Sequence, residues 1–456
     1  MASIITNQFR LSNLKALQAA IADTVNNSFY LCLGKALPWA DEANPDVPKD
    51  TNDQIRAFWD YALAGKKVLS TNTRQGIFLR PWVSGQFYDM FRNDIDGTVA
   101  TKNLDGTARS SNPASLFDCN YFVINPANLN VYICLYNRSH TTNLQVASTD
   151  NSFLTDTSAN VIHGSDGYDW KYMFTVPSGD AALFNTPSFI PASTTGSAAL
   201  VAGGIYNVLV TTAGAYTVAP TATVVGDGTG AAVTAHIAGG GVVWCEVTNP
   251  GSGYTHAKIN FTGGTGAGGT VAVPVIGTRG GIGSAPADEL GGIYLIIQQK
   301  FIADESGSGS KFTVANDFRQ IGLLKNPTLT STLVTSDAIR LCRSLVLTTD
   351  PGSFTADDTL TGGTSGAKGK VVDYIAASKT IRYNLDVSIA TSVLGKDFAV
   401  GDVVTDAHAH SGTVATSGVH GPEVDLNTGA LVYFENRKAI TRSSSQTEDV
   451  RIIVEF

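Results

Sequence analysis

Two histidines, His408 and His410, stand either side of Ala409. On a strand both imidazoles would face the same side, which is how half of a metal site begins. A zinc site needs a third protein ligand, usually in a closer set than this sequence offers. The pair also replaces small residues of an earlier repeat copy, next to a turn. We therefore read both as exposed turn histidines and expect no metal ligands. Asp94, Asp96 and Gly97 faintly follow a calcium loop, but Arg92 occupies its first ligand position and excludes the standard pattern.

Phosphate-binding motifs fail on context. Gly226-Asp227-Gly228-Thr229-Gly230-Ala231 has the GxGxxA spacing of a dinucleotide turn. That motif must open a helix, whereas 232–237 is strand-like. Gly366 to Lys370 ends like a phosphate loop, yet Thr364 replaces its first glycine and Val371 its magnesium-binding hydroxyl. No GxSxG elbow, HExxH or papain-like cysteine context occurs. Carboxylates are plentiful but show no paired spacing. We expect no catalytic residue, no cofactor and no enzymatic activity.

The elements that would position any site are mainly strands. The chain has 456 residues, enough for two to four domains, and 43% hydrophobic residues, enough for real cores. Only 15% are charged, against roughly 25% in an average soluble protein. With 46 glycines, this favours β-structure with many turns over helix bundles. The net charge of −8 lacks the footprint of nonspecific nucleic-acid binding, and Lys66-Lys67 is too short a basic run for a membrane patch. Met1 to Thr6 leads into an amphipathic segment rather than a signal peptide, and no window suits a membrane span. Five distant cysteines (Cys32, Cys119, Cys134, Cys245 and Cys342) without CxxC spacing read as reduced, structural thiols.

Leu11, Leu14, Leu17, Ile21 and Val25 predict one face of a helix. Ser28 to Gly34 reads as a buried strand, followed by a proline-rich loop. Thr51 and Gln54 match a capping box, Ile55, Phe58, Trp59 and Ala62 an apolar stripe, and Gly65 a C′ glycine. From 76 to 198 the patterns shorten to strands, among them 120–125, 130–136 and 168–176. Pro38-Trp39, Pro81-Trp82 and the aromatic run Tyr168 to Tyr172 read as core or loop anchors, with contact patches as the other use of such residues.

Two internal repeats follow. Gly214-Ala215-Tyr216-Thr217 and the strands after it recur 38 residues on at Ser252-Gly253-Tyr254-Thr255, and each copy reads as a β-hairpin. Asp357-Asp358-Thr359-Leu360-Thr361 with Ser365-Gly366 recurs 44 residues on at Gly401-Asp402-Val403-Val404-Thr405 with Ser411-Gly412. Two copies are too few for a solenoid, so a compact barrel or sandwich from Thr348 to Val419 is expected. The fold expected is α+β to mainly β and multi-domain. A mixed α/β scaffold (1–75 with 421–456) joins a β-rich domain (76–198), an inserted Gly/Thr-rich module (199–285), a scaffold segment (286–346) and a second inserted module (347–420).

Four segments resemble the baseplate wedge subunits of T4-like contractile-tailed bacteriophages, the gene product eight family. They are Phe29-Tyr30-Leu31-Cys32-Leu33-Gly34-Lys35-Ala36-Leu37-Pro38-Trp39, Asp166-Gly167-Tyr168-Asp169-Trp170-Lys171-Tyr172-Met173-Phe174-Thr175-Val176-Pro177, Asp317-Phe318-Arg319-Gln320-Ile321-Gly322-Leu323-Leu324-Lys325-Asn326-Pro327, and Thr428 to Arg437 continuing through Gln446 to Phe456. They occur in family order and bracket nearly the whole chain. The two repeat modules and 90–115 lie outside the resemblance. It implies a non-enzymatic homodimer at the wedge periphery that contacts other baseplate wedge proteins; the charge and hydropathy above add the expectation of no nucleic acid and no membrane insertion. Its place would be the virion tail baseplate, after folding and assembly in the host cytoplasm. For interface anchors we single out Pro38, Trp39, Glu435, Asn436 and Arg437; the alternative use of these residues is to fasten the first and last strands within one monomer. The rival function is a receptor-binding tail protein whose glycine-rich modules present Tyr216 and Tyr254 to sugars.

Overall fold

The computed structural model describes residues 4–196, 199–302, 317–350, 352–385, 397–441 and 447–456. Met1 and Gln446, both named above, lie outside the described residues. Strands take 43% of the residues and helices 12%, so the chain is mainly β. It divides into two compact units, one of 1–14, 74–296 and 455–456, the other of 15–73 and 297–454. No helix among the described residues is long and apolar enough to cross a membrane.

Helix α1 (Asn7–Ala22) buries Leu11, Leu14 and Ile21. It stops before Val25, which is exposed. In the second unit, β1 (Phe29–Gly34) is buried at all six positions, as an apolar run covered on both faces must be. Helix α2 (Asn52–Tyr61) has Thr51 as N-cap, its hydroxyl accepting from Gln54 N at 3.3 Å. The Gln54 side chain accepts from Lys49 N instead of closing the box. Phe58 and Trp59 are buried, worth about 1.5–3 kcal/mol each. Gly65 is not the helix terminus: the chain turns straight into β2 (Ala62–Val68), which contains it. There a Cβ would lie 3.1 Å from both Cys32 Sγ and Ile339 Cγ1, so close packing of the sheet accounts for the glycine.

The first unit contains a sheet of β3 (Phe122–Ile124), β4 (Asn130–Asn137), β5 (Val161–His163) and β6 (Tyr168–Thr175) in the order β3-β4-β6-β5. Trp170 is buried and stacks on Phe153 at 4.5 Å between ring centroids, so this aromatic run belongs to the core.

The glycine-rich module comprises β7 (Ile205–Thr212), β8 (Thr221–Gly226), β9 (Thr229–Ala238), β10 (Gly241–Ser252), β11 (Ala257–Thr262) and β12 (Val271–Ile276). The two repeat copies are not two hairpins. Equivalent strands pair across the copies, β8 with β11 from Thr221↔Thr262 to Gly226↔Ala257. β9 pairs with β10, and β12 with β7. The one tight hairpin, β9–β10, joins the copies through Gly239 and Gly240, whose φ values of 60° and 87° suit the primed turn of a two-residue loop.

The five-stranded sheet of the second unit is completed by β13 (Phe318–Lys325) and β14 (Ala338–Arg340). Beyond them lies a closed barrel of β15 (Arg343–Leu347), β16 (Thr359–Gly362), β17 (Lys368–Ile375), β18 (Thr380–Leu385), β19 (Val403–Thr405) and β20 (Ser411–His420), in the ring order β15-β18-β17-β16-β19-β20. It starts at Arg343, five residues before the expected Thr348, because β15 is needed to close the ring between β18 and β20. Strand β21 (Ala430–Ile440) then forms the edge of the sheet, whose order is β14-β2-β1-β13-β21. Gly322 on β13 leaves room for the helix above it, since a Cβ there would come within 2.4 Å of Phe58 Cζ.

Candidate functional site

The five residues singled out for an interface lie together at the β21 edge of the second-unit sheet. The reason is register. β1 pairs with β13 (Gly34↔Gln320), and β13 pairs with β21 (Gln320↔Asn436), so the loop leaving β1 meets the middle of β21. Trp39 Nε1 donates to the Arg437 carbonyl at 2.7 Å. Asn436 Nδ2 donates to the Asp46 carbonyl at 2.7 Å, and its Oδ1 accepts from Gln320 Nε2 at 2.8 Å. Glu435 accepts from the Tyr433 hydroxyl at 2.6 Å and pairs with Arg437 Nε at 3.3 Å. Trp39, Glu435 and Asn436 are half-buried, while Pro38 and Arg437 are exposed.

Residues the sequence reading did not single out hold this loop in place. Arg319, buried on β13, donates to Glu42 at 2.7 Å, to the Ala36 carbonyl at 2.5 Å and faces Asp317 at 3.4 Å. Burial pushes the Glu42 carboxyl up, but hydrogen bonds from Arg319 and from Trp39 N outweigh it and hold the group below its ordinary range. Lys35, with φ of 55°, places its ammonium 4.4 Å from the Trp39 ring centroid and 4.7 Å from that of Tyr61. A signal for Arg319 was present: an arginine inside a strand with the apolar run Ile321 to Leu324 is drawn into the interior and must find a carboxylate. Nothing local pointed to Glu42, 277 residues away. The cluster contains no nucleophile set against a base; its chemistry is ionic and hydrogen-bonding, suited to seating a loop and presenting Pro38 and Arg437.

The other residues with chemical promise are placed as follows. Tyr216 and Tyr254 are 6% exposed and pack into the glycine-rich module's own core, so neither ring offers a face to a sugar. The GxGxxA segment runs from β8 into β9 with no helix after it. Asp94 is engaged by Arg92 through two hydrogen bonds, and Asp96 caps Thr98. All five cysteines are free and buried; desolvation raises the thiols, those of Cys119 and Cys245 to about 12, which keeps them protonated and unreactive.

His408 and His410 lie not on a strand but in the turn between β19 and β20, where Ala409 has φ of 64°. Each ring meets a carboxylate: His408 Nδ1 is 2.5 Å from Asp358 Oδ2, and His410 Nδ1 is 2.7 Å from Asp406 Oδ2. In the first unit, His140 and His236 sandwich Trp244 at 4.1 and 4.7 Å, an arrangement with no sequence signal. Burial lowers the His140 imidazole below its ordinary value.

No family model matches the chain, and no curated protein matches it at a significant level.

Proposed function

We propose that this chain is a structural component of the baseplate wedge of a contractile phage tail, a homodimer that links other wedge subunits during assembly and contraction. The observation that carries the reading is where the resembling segments fall. Three of the four, Phe29 to Trp39, Asp317 to Pro327 and Thr428 to Arg437, hold β1, β13 and β21, neighbouring strands of one sheet that meet at the Trp39–Arg437 contact. Segments that share a sheet and one loop seat are what a common scaffold would keep together. A two-fold dimer presents the same patch twice and so bridges two sites on neighbouring chains.

Within this reading, Pro38 and Arg437 face the partner copy, and Trp39, Glu435 and Asn436 hold them in place. Arg437→Ala then gives a folded monomer by light scattering, whereas Trp39→Ala lowers thermal stability. An Arg437→Ala protein that stays dimeric removes this patch from the interface. The reading as a whole is tested by cryo-EM of baseplates containing the chain. Paired copies at the wedge periphery support it. Density at fibre tips, or none, overturns it in favour of a receptor-binding role.

A further inference from the structure

The turn that carries His408 and His410 brings together more than two histidines. A carboxylate oxygen of Asp358, one of Asp406 and a ring nitrogen of His408 all lie within 4.8 Å of one another. The barrel ladder explains why. β16 pairs with β19 at Thr361↔Thr405, and carrying that antiparallel register three residues outward sets Asp358 opposite His408. The third ligand that the sequence lacked near the histidines thus comes from the other repeat copy, across the strand pair.

The repeat also separates structural duty from spare ligand capacity. Asp402, the counterpart of Asp358, holds the first copy's turn: it accepts from Thr364 N at 2.8 Å, Ser365 N at 3.0 Å and the Ser365 hydroxyl. In the second copy that duty falls to Asp406, whose Oδ1 accepts from His408 N and His410 N, each at 2.9 Å. Asp358 is therefore relieved of turn-holding, and among the described residues its side chain hydrogen-bonds to His408 alone. The Asp406 side chain is fully buried and that of Asp358 is 16% exposed. Two carboxylates this close, faced by imidazoles, favour a cation between them.

We propose that Asp358, Asp406 and His408 bind one divalent first-row transition cation, which ties the start of β16 to the β19–β20 turn. Two carboxylate oxygens and an imidazole nitrogen suit zinc, cobalt or nickel better than the all-oxygen preference of calcium and magnesium or the sulfur preference of cuprous copper. The His408 side chain is 59% exposed, so the site is reached from solvent and keeps a coordination position open to water. His410 sits beside it, ring centroids 6.3 Å apart, and orients Asp406 through its hydrogen bond.

The test uses the full chain, freed of metal by chelation, titrated with zinc by calorimetry and examined with cobalt by absorption. One zinc per chain is expected, with a rise in melting temperature. His408→Ala and Asp358→Asn should each weaken zinc by about tenfold or more, while the exposed His256→Ala should leave it unchanged. The cobalt spectrum should lack the near-ultraviolet thiolate band. Absence of zinc binding, unchanged affinity in His408→Ala, or a thiolate band from the cysteines overturns the proposal. Circular dichroism establishes that the variants are folded; should Asp358→Asn fail to fold, the surface variant His408→Ala decides alone.

Discussion

The glycine-rich module and the closed barrel follow one plan. In the barrel, the ring β15-β18-β17-β16-β19-β20 is unchanged when its halves are exchanged, β16 for β19 and β17 for β20. In the glycine-rich module the ladders β9·β10, β8·β11 and β12·β7 obey the same exchange, and β7 lies against β10, β8 against β9 and β11 against β12. Its strands therefore run in the same cyclic order, β7-β10-β9-β8-β11-β12, yet only alternate neighbours are joined by hydrogen-bonded ladders. The difference is in the side chains. The barrel core holds Leu345, Leu347, Phe354, Leu360, Tyr383 and Phe398, bulky enough to fill a closed ring. The other module's centre holds smaller side chains on balance, with Val208, Val210, Val233, Ala235 and Val242 beside Ile205, Ile259 and two tyrosines, while register shifts interrupt ladders in both modules. Duplication sets the strand order; core volume decides whether the ring closes.

Core truncation should separate the two modules most. Leu360→Ala, at a fully buried barrel position, should cost about 3–5 kcal/mol, and Ile259→Ala, 8% exposed among smaller side chains that enclose it less completely, about 2 kcal/mol. Hydrogen exchange with mass spectrometry over 343–420 and 205–276 reads each loss in its own module. Equal losses would break the volume argument.

The next effect is on the turns. Asp402→Ala orphans Thr364 N and Ser365 N and should cost about 1–3 kcal/mol within the barrel. Asp227 does the same for Thr255 N and His256 N in the other module, but it is solvent-facing, so Asp227→Ala should move exchange rates only around 255–256. Burial pushes the Asp402 carboxyl up, but hydrogen bonds from Ser365, Thr364 and Ala399 outweigh this and lower it below its ordinary value. Its contribution is therefore present above the unfolded value near 3.9 and lost as pH falls through the lower folded value. Asp402→Asn should reduce the barrel's acid response below about pH 4, seen as a smaller fall in exchange protection across that range, with Asp406 supplying part of what remains.

The smallest effect should fall within the first unit and, like that of Asp402, lower stability as pH drops, but in a window nearer neutral. His140 stacks on Trp244 and is lowered by burial, with Asp169 and Glu246 raising it and His163 and His236 lowering it further. The folded state then binds fewer protons than the unfolded one just below 6.5, so stability should fall as pH drops through that window. His140→Gln should remove part of this slope over 205–276 and leave 343–420 unchanged. His163 is raised by its hydrogen bond to Asp169 and opposes the effect, being stabilising below 6.5 and losing that contribution above its folded value. His163→Gln should therefore steepen the loss.

Much was legible in the residues themselves. The continuous apolar run of β1, the cap at Thr51, the strands at 130–137 and 168–175 and both repeat periods follow from period, propensity and self-similarity, which are local properties. Glycine misled where its signal is degenerate: Gly65 has the spacing of a helix end and instead serves close packing beside Cys32 and Ile339. The repeat copies look like hairpins because each contains two strands and a turn, and nothing in a strand's own pattern names its partner.

The sequence by itself determined the two repeat periods, the strand character of both repeated regions and that Pro38-Trp39 leaves a buried strand. Only the tertiary structure decided that copies exchange strands, that Trp39 reaches Arg437, and that Asp358 crosses the β16–β19 ladder to meet Asp406 and His408. The physical reason is common to all three. A strand's hydrophobic period reports its own burial, but ladder hydrogen bonds are made by backbone groups that every residue carries, so pairing is settled by which arrangement of the whole chain fills its cores.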